Sequence, residues 1–181
     1  MSNILQILRP AFGLAIVSAL AVMPVVSTAS EALPPLMEVP AGNFVAWRAP
    51  ATGFIKYECR RPFGHESIPA WGIASAEARL GDGGKPEEGT YRAHPESWHA
   101  LDGSSFTGME VVRAATGSDR LYDQLVMAGP SPVAGLLSGV TYVQRLVSAG
   151  GAAPGRPCQK SSLGERASVA FQAEFVFWKA N

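Results

Sequence analysis

The sequence lacks an excess of charge of either sign. Its 181 residues include 15 Lys and Arg against 15 Asp and Glu, and no basic block interrupts that balance. Nucleic-acid-binding domains gather Lys and Arg on one face, so this composition argues against a nucleic-acid partner. With 47% hydrophobic and 17% charged residues, the chain has the composition of a globular domain.

Long segments without helix-breaking residues are also scarce. The chain contains 19 Gly and 14 Pro, which divide it into short stretches. Because Gly and Pro interrupt helices and favour turns, long helices are not expected. No internal repeat or low-complexity block is present, so the sequence predicts a single domain.

The motifs of common enzyme classes are missing. There is no C-x-x-C pair, no Gly-x-Ser-x-Gly nucleophile turn and no phosphate-binding glycine loop. The sequence therefore leaves open whether the protein is an enzyme, and it identifies no cofactor. We expect a non-catalytic binding or interaction module for an unknown small molecule, glycan or protein. A structural protein of the cell envelope or host surface is a further possibility.

The amino terminus has the three parts of an export signal. Arg9 precedes an apolar run from Ala11 to Val26, and Ser27-Thr28-Ala29 offers small residues for cleavage. We therefore predict a signal peptide over residues 1–29 and a periplasmic or secreted mature protein without a membrane span. A retained membrane anchor is the alternative, because the run approaches the roughly 20 residues that span a bilayer.

The two cysteines agree with an exported protein. Cys59 and Cys158 are the only ones, and an even number in an exported chain predicts one disulfide. Closing a loop of about 100 residues would stabilise the fold by roughly 4–5 kcal/mol in the chain-entropy model.

Alternation of apolar and polar residues predicts an all-β fold. Residues 30–40 are expected to form an extended lead-in because of their prolines, and residues 41–181 the single β domain. Strands are predicted over 43–49 and 54–59 around a turn at Thr52-Gly53, and over 106–115, 139–148 and 169–178. Residues 71–80 and 121–128 suit a strand or a helix, and Asp82-Gly83 predicts a hairpin turn. This pattern is typical of an antiparallel β-sandwich or barrel with short strands and long loops.

The stretch from Tyr91 to Gly108 gathers polar side chains capable of chemistry. His94, His99 and Asp102 are candidate metal ligands, so a small metal-dependent enzyme centred on them is the alternative function. Their odd spacings place neighbours on opposite faces of a regular strand, so only turns could bring them together. Otherwise Asp102 caps its own turn and the histidines are solvated.

Trp98, Asp102 and Arg145 are the candidate ligand-binding residues. A tryptophan offers a stacking surface, and Arg145 lies within an otherwise apolar predicted strand. A buried arginine needs a partner, for which Asp102, Glu110 and Glu174 are candidates, or it binds an anion in a cleft. A binding module of this kind would have Trp98 or Arg145 lining an open cleft.

Three passages resemble an exported family catalogued as domain of unknown function 3455. The resemblance covers about residues 40–179 and implies export and a compact domain, but no activity or ligand. Its passages are Trp98 with Asp102-Gly103-Ser104 and Gly108; Gly139-Val-Thr-Tyr-Val-Gln-Arg145-Leu with Gly150-Gly151-Ala-Ala-Pro154 and Cys158; and Phe175-Val-Phe-Trp178.

Overall fold

Eight antiparallel strands close into one barrel in the computed structural model, which describes residues 35–64, 67–81 and 88–181. Each strand pairs with the next one in sequence, and the last pairs with the first. The predicted all-β fold is therefore confirmed, in its barrel form. The strands are β1 (Asn43–Arg60), β2 (Ala70–Leu80), β3 (Gly89–Ala93), β4 (Ser97–Ala100), β5 (Ser105–Ala114), β6 (Asp123–Ala128), β7 (Val140–Gly150) and β8 (Arg166–Ala180).

The up-and-down order of the strands gives the barrel two different ends. We call one the disulfide end; it carries the β1–β2, β3–β4, β5–β6 and β7–β8 connections. The other, the terminal end, carries the end of β2, the start of β3, the β4–β5 and β6–β7 connections, the start of β1 and the end of β8. A site at one end therefore draws on connections that are far apart in sequence.

Several strands are longer than predicted, and the expected turn at Thr52-Gly53 is wrong. β1 runs without interruption for 18 residues and β8 for 15. Gly53 lies inside β1 because the strand approaches β2 there: a Cβ at position 53 would lie 2.0 Å from the Glu77 carbonyl oxygen. A glycine can therefore mark close packing of two strands as well as a turn.

The barrel interior is filled by inward-facing side chains. Alternate residues of each strand point inward, as a half-buried strand requires. Large aromatic side chains take most of the space because the interior of an eight-stranded barrel is narrow. The buried interior residues include Ile55, Tyr91, Trp98, Phe106, Phe171, Phe175 and Phe177.

The lead-in is not simply extended where the structure describes it. Pro35–Met37 form one 3₁₀ turn, and the Met37 side chain is fully buried. The Met37 carbonyl accepts a hydrogen bond from Gln144 Nε2 at 2.6 Å, so this segment lies against the outer face of β7. The predicted signal peptide, the remainder of the lead-in before residue 35 and the Asp82-Gly83 hairpin lie outside the described residues.

The predicted disulfide is present. Cys59 at the end of β1 bonds to Cys158 in the β7–β8 connection, with the two Cα atoms 5.5 Å apart. The bond thus fixes this connection against the strand that closes the barrel. In the described part of the chain, no helix has the length and apolar character needed to cross a membrane.

Candidate functional site

Trp98 belongs to the core of the barrel. It lies on β4, and its ring centroid is 5.0 Å from that of Phe106 and 5.3 Å from that of Tyr91. Its side chain is fully buried. Trp98 therefore packs against other aromatic rings and does not line an open cleft.

The structure does not bring His94, His99 and Asp102 together. His94 lies in the β3–β4 turn at the disulfide end, whereas Asp102 lies in the β4–β5 turn at the terminal end. His99 is on β4 between them, and its side chain is exposed on the outer face. Among the residues that the structure describes, no three His, Cys, Asp or Glu side chains are placed to hold one metal ion.

Asp102 instead joins two connections at the terminal end. Its Oδ1 accepts hydrogen bonds from the Ser104 backbone N–H at 2.9 Å and from the Ser104 hydroxyl at 2.6 Å. Its Oδ2 accepts the Leu136 backbone N–H at 2.6 Å, across to the β6–β7 connection. The Ser104 hydroxyl and these backbone donors favour the ionised carboxylate and hold the pKa of Asp102 below its ordinary value.

Arg145 is buried inside the barrel, with only 3% of its surface exposed. Its Nη1 donates to the Tyr91 hydroxyl at 3.1 Å, and its Nη2 donates to the Tyr122 carbonyl at 3.4 Å. The Tyr122 ring lies 5.4 Å from the guanidinium carbon, close enough for a cation–π contact. Arg145 is thus held by two tyrosines and does not line an open cleft.

The three carboxylates proposed as partners of Arg145 lie elsewhere. Glu174 pairs with Arg48 at 2.7 Å on the outer face, and Glu110 accepts a hydrogen bond from Arg113 at 2.7 Å. Asp102 is at the terminal end. No carboxylate of the described residues is within ion-pair distance of Arg145, so the expected ion pair across the sheet is wrong for these partners.

A polar network surrounds Arg145 near the disulfide end. Gln124 Nε2 donates to Glu96 at 3.2 Å and to Glu110 at 2.6 Å, and Glu96 faces the Tyr91 hydroxyl. Burial raises the pKa of Tyr91; the nearby Arg145 opposes that shift and Glu96 adds to it. The Tyr91 hydroxyl therefore stays protonated and polar, which lets it offset part of the buried charge of Arg145.

One concave surface is a groove of about 790 Å³ across β1, β2, β3, β7 and β8. It lies on the outer face, because most of its lining residues are the exposed ones that alternate with core residues. We call it the arginine groove. Its exposed lining side chains include Thr52, Phe54, Glu77, Arg79, Arg92 and Gln172.

Strand register arranges the arginine groove as two rows of outward-facing residues. One row contains Thr52, Arg79, Thr90 and His99, each opposite the next on adjacent strands. The other contains Phe54, Glu77, Arg92 and Ser97 in the same way. His99, proposed as a metal ligand, therefore continues a row of the groove.

The charged side chains that line the arginine groove include Glu77, Arg79 and Arg92. Glu77 pairs with Lys56 at 3.0 Å. Phe54 is half exposed, and by strand register it lies in the same row as Arg92, with Glu77 between them. Sequence reasoning missed this surface, because Arg79 and Arg92 belong to different strands and only the pairing register shows that they share a face.

Comparison with known proteins gives one match. A family model described as protein of unknown function (DUF3455) matches residues 40–179, which cover nearly the whole barrel. No curated protein and no solved structure matches the chain.

Proposed function

The chain belongs to DUF3455, a family of proteins of unknown function, and we propose its function from the residues exposed on the surface of this chain. It is an exported, non-catalytic binding module, and the arginine groove is its binding surface. The ligand is negatively charged, in the form of a carboxylate-bearing molecule such as an acidic glycan.

The observation that carries this proposal is an exposed arginine, Arg92, together with an exposed aromatic ring, Phe54, in one groove. Guanidinium groups bind carboxylates through two parallel hydrogen bonds, which suits Arg92. Phe54, 50% exposed, offers an apolar surface in the same row for the carbon skeleton of the ligand. Thr52 and Gln172 add hydrogen-bonding groups at the edge.

A binding role fits the groove better than catalysis does. Its polar side chains lie on separate strands of a rigid sheet and face solvent, so they present charge and hydrogen bonds to a ligand. A general acid or base would need a group held at a reacting atom in a water-excluding site. Arg145 and Tyr91, whose side chains are fixed by a hydrogen bond between them, are buried in the core and do not line the groove with their functional groups.

Export is supported by the amino-terminal pattern and by the disulfide. Disulfides persist in oxidising compartments such as the periplasm and the exterior of the cell. Acidic polysaccharides and acidic surface proteins are ligands that a protein would meet in such a compartment. Intact-mass measurement of protein recovered after export tests this part: the mature chain should begin at Ser30, and a chain that still carries residues 1–29 would contradict cleavage.

Binding to immobilised polygalacturonate, a polymer of carboxylate-bearing sugars, tests the groove. The protein should be retained at low salt and eluted by moderate salt, because exposed charge pairs are screened. Arg92→Ala should weaken retention about tenfold or more, since one bidentate charged contact contributes roughly 1.5–3 kcal/mol. Phe54→Ala should weaken it less and without changing the salt dependence.

Arg61→Ala is the matched control, because Arg61 is also exposed but lies in the β1–β2 connection outside the groove. It should be retained like the unmodified protein. Equal effects of Arg61→Ala and Arg92→Ala would show that the binding depends on the overall charge of the protein and not on the arginine groove. Absence of any retention, on this polymer or on an immobilised acidic peptide, would exclude an anionic ligand.

A further inference from the structure

One row of outward-facing residues in the sheet is polar at every position. We call it the polar row; by strand register from β8 to β4 it consists of Gln172, Thr52, Arg79, Thr90 and His99. Each of these side chains can form hydrogen bonds, and each residue is exposed or half-buried. The polar row therefore offers a ligand hydrogen-bonding groups on five neighbouring strands.

The polar row is longer than the arginine groove. Four of its residues line the groove, and His99 continues the row on β4, beyond the groove. Neighbouring strands are about 4.8 Å apart, so the four steps from Gln172 to His99 extend over roughly 19 Å of the sheet. One sugar unit covers only a part of that length. A ligand that contacts the whole row must therefore be a chain of several units that runs across the strands.

The main chain beneath the polar row offers no free strand edge at the described positions. Thr52 pairs with Gln172 on one side and with Arg79 on the other. Thr90 pairs with Arg79 and with His99. An extended peptide that adds to a sheet needs unpaired main-chain groups at such an edge. Recognition along the polar row is therefore by side chains, and hydroxyl, amide and imidazole groups match the many hydroxyl groups of a polysaccharide.

Two side chains on the β3–β4 side suit a chain that carries carboxylates. Arg92 is exposed on β3, two residues beyond the Thr90 that pairs with His99. Arg92 and His99 are therefore diagonal neighbours on adjacent strands, with Cα atoms about 7–8 Å apart. The acidic Glu77 lies on the other side of Arg92, on β2, where it pairs with Lys56 at 3.0 Å. A sugar unit held by its carboxylate at Arg92 thus brings the next unit of the chain beside His99.

We propose that the ligand of the arginine groove is a linear, carboxylate-bearing polysaccharide that lies across the strands along the polar row. Arg92 binds one carboxylate, and Gln172 and His99 contact units on either side of it. This inference rests on the proposed function, to which it adds the length and direction of the ligand and a second contact site at His99.

Binding of fluorescently labelled octagalacturonate, measured by fluorescence polarisation, tests the polar row. His99→Ala and Gln172→Ala should each weaken binding of the octamer about threefold or more, since each removes a hydrogen bond at one end of the row. Unlabelled digalacturonate should compete about tenfold more weakly than the unlabelled octamer, because two units cannot engage the whole row. Its competition should respond to at most one of the two variants. Both side chains are exposed, so the fold should be kept, and thermal unfolding checks this.

His94→Asn is the matched control. His94 is also an exposed histidine, but it lies in the β3–β4 turn outside the polar row, and asparagine accepts its positive φ of 65°. This variant should bind the octamer like the unmodified protein. The inference is overturned if the octamer binds His99→Ala and Gln172→Ala as tightly as the unmodified protein, or if the dimer competes as strongly as the octamer.

Arg92→Ala separates this inference from the proposed function. If Arg92→Ala weakens binding of the octamer and the two end variants do not, the groove binds its ligand and the polar row is wrong. If the octamer does not bind the unmodified protein at all, the proposed acidic glycan fails together with the polar row. If the two end variants weaken only the retention on an immobilised acidic peptide, the row recognises a peptide and the polysaccharide is excluded.

Discussion

At the scale of single residues, the side chain of Asp102 joins two connections at the terminal end of the barrel. Its two carboxylate oxygens accept hydrogen bonds from Ser104 and from Leu136, which lie in different connections. Both the turn cap predicted from Asp102-Gly103 and the link to Leu136 depend on a full carboxylate. An amide in its place keeps only one acceptor oxygen.

We therefore expect Asp102→Asn to lower the unfolding temperature at neutral pH. The pKa of the folded Asp102 carboxyl lies below its ordinary value of 3.8. Its stabilising effect is thus complete above pH 3.8 and is lost as the pH falls through the folded pKa. The difference between the two proteins should shrink when thermal unfolding is repeated at pH 3 or lower.

Asp119→Asn serves as the control for this measurement. Asp119 is a highly exposed carboxylate in the β5–β6 connection, at 3.9 Å from the Arg120 Nε atom. Its replacement should leave the unfolding temperature nearly unchanged at both pH values. A difference between the unmodified protein and Asp102→Asn that persists at low pH would show that the charge of the carboxylate is not what stabilises the fold.

Tyr91→Phe tests the polar interior in the same way. The Tyr91 hydroxyl accepts a hydrogen bond from Arg145 Nη1 at 3.1 Å, and the Nε of Arg145 has no hydrogen-bond partner among the residues that the structure describes. Removing the hydroxyl leaves a further buried donor unpaired, so urea unfolding should show a loss of about 1–3 kcal/mol. Tyr142→Phe, on the outer face and half-buried, should change stability by less than about 0.5 kcal/mol. Equal losses of stability in Tyr91→Phe and Tyr142→Phe would mean that Arg145 donates to another acceptor when the Tyr91 hydroxyl is absent.

At the scale of elements, β1 is the strand that the rest of the barrel depends on. It pairs with β2 along one side and with β8 along the other, so it takes part in the closure of the sheet. Its middle passes close to β2 at Gly53. Strand pairing on both sides leaves β1 little freedom to move away from an added side-chain atom.

Gly53→Ala should accordingly destabilise the barrel strongly. The added Cβ would lie 2.0 Å from the Glu77 carbonyl oxygen and 2.6 Å from the Ala78 Cα, which are backbone atoms and cannot rotate away. We expect a loss of at least about 2 kcal/mol in urea unfolding. Gly155→Ala is the control, because a Cβ there meets nothing within 4 Å. If Gly53→Ala unfolds like Gly155→Ala, then β1 can shift and close packing does not require the glycine.

Local alternation was enough to predict most strands but not how they join. Residues 169–178 alternate clearly and form part of β8, and the ambiguous residues 71–80 form β2. The turn expected at Thr52-Gly53 was wrong because glycine marks both turns and close approaches. Only long-range pairing of β1 with β8 separates a barrel from a sandwich, and that pairing leaves no local pattern.

The same limit applies to the candidate sites. Arg145 stood out in sequence as a charge among apolar residues, and it is buried. The sequence could not show that its partners are tyrosines, because Tyr91 and Tyr122 are 54 and 23 residues away. The arginine groove gathers residues from several strands, so it appears only once the register is known.

At the scale of the whole molecule, the disulfide and the strand pairing that closes the barrel both involve β1. β1 closes the barrel by pairing with β8, and Cys59 at its end is bonded to Cys158 just before β8 begins. The two cysteines are 99 residues apart in sequence. The bond therefore restricts the unfolded chain over most of the domain and keeps the β7–β8 connection near its folded position.

Replacing both cysteines by Ala should lower the free energy of unfolding by roughly 4–5 kcal/mol, the chain-entropy value for a loop of this length. Urea unfolding of the oxidised protein and of the double variant measures the difference directly. The oxidised protein with a reductant should approach the variant, because reduction removes the same constraint. A loss below about 1 kcal/mol would indicate that β1–β8 pairing already keeps the unfolded chain compact. The disulfide would then secure only the local position of the β7–β8 connection.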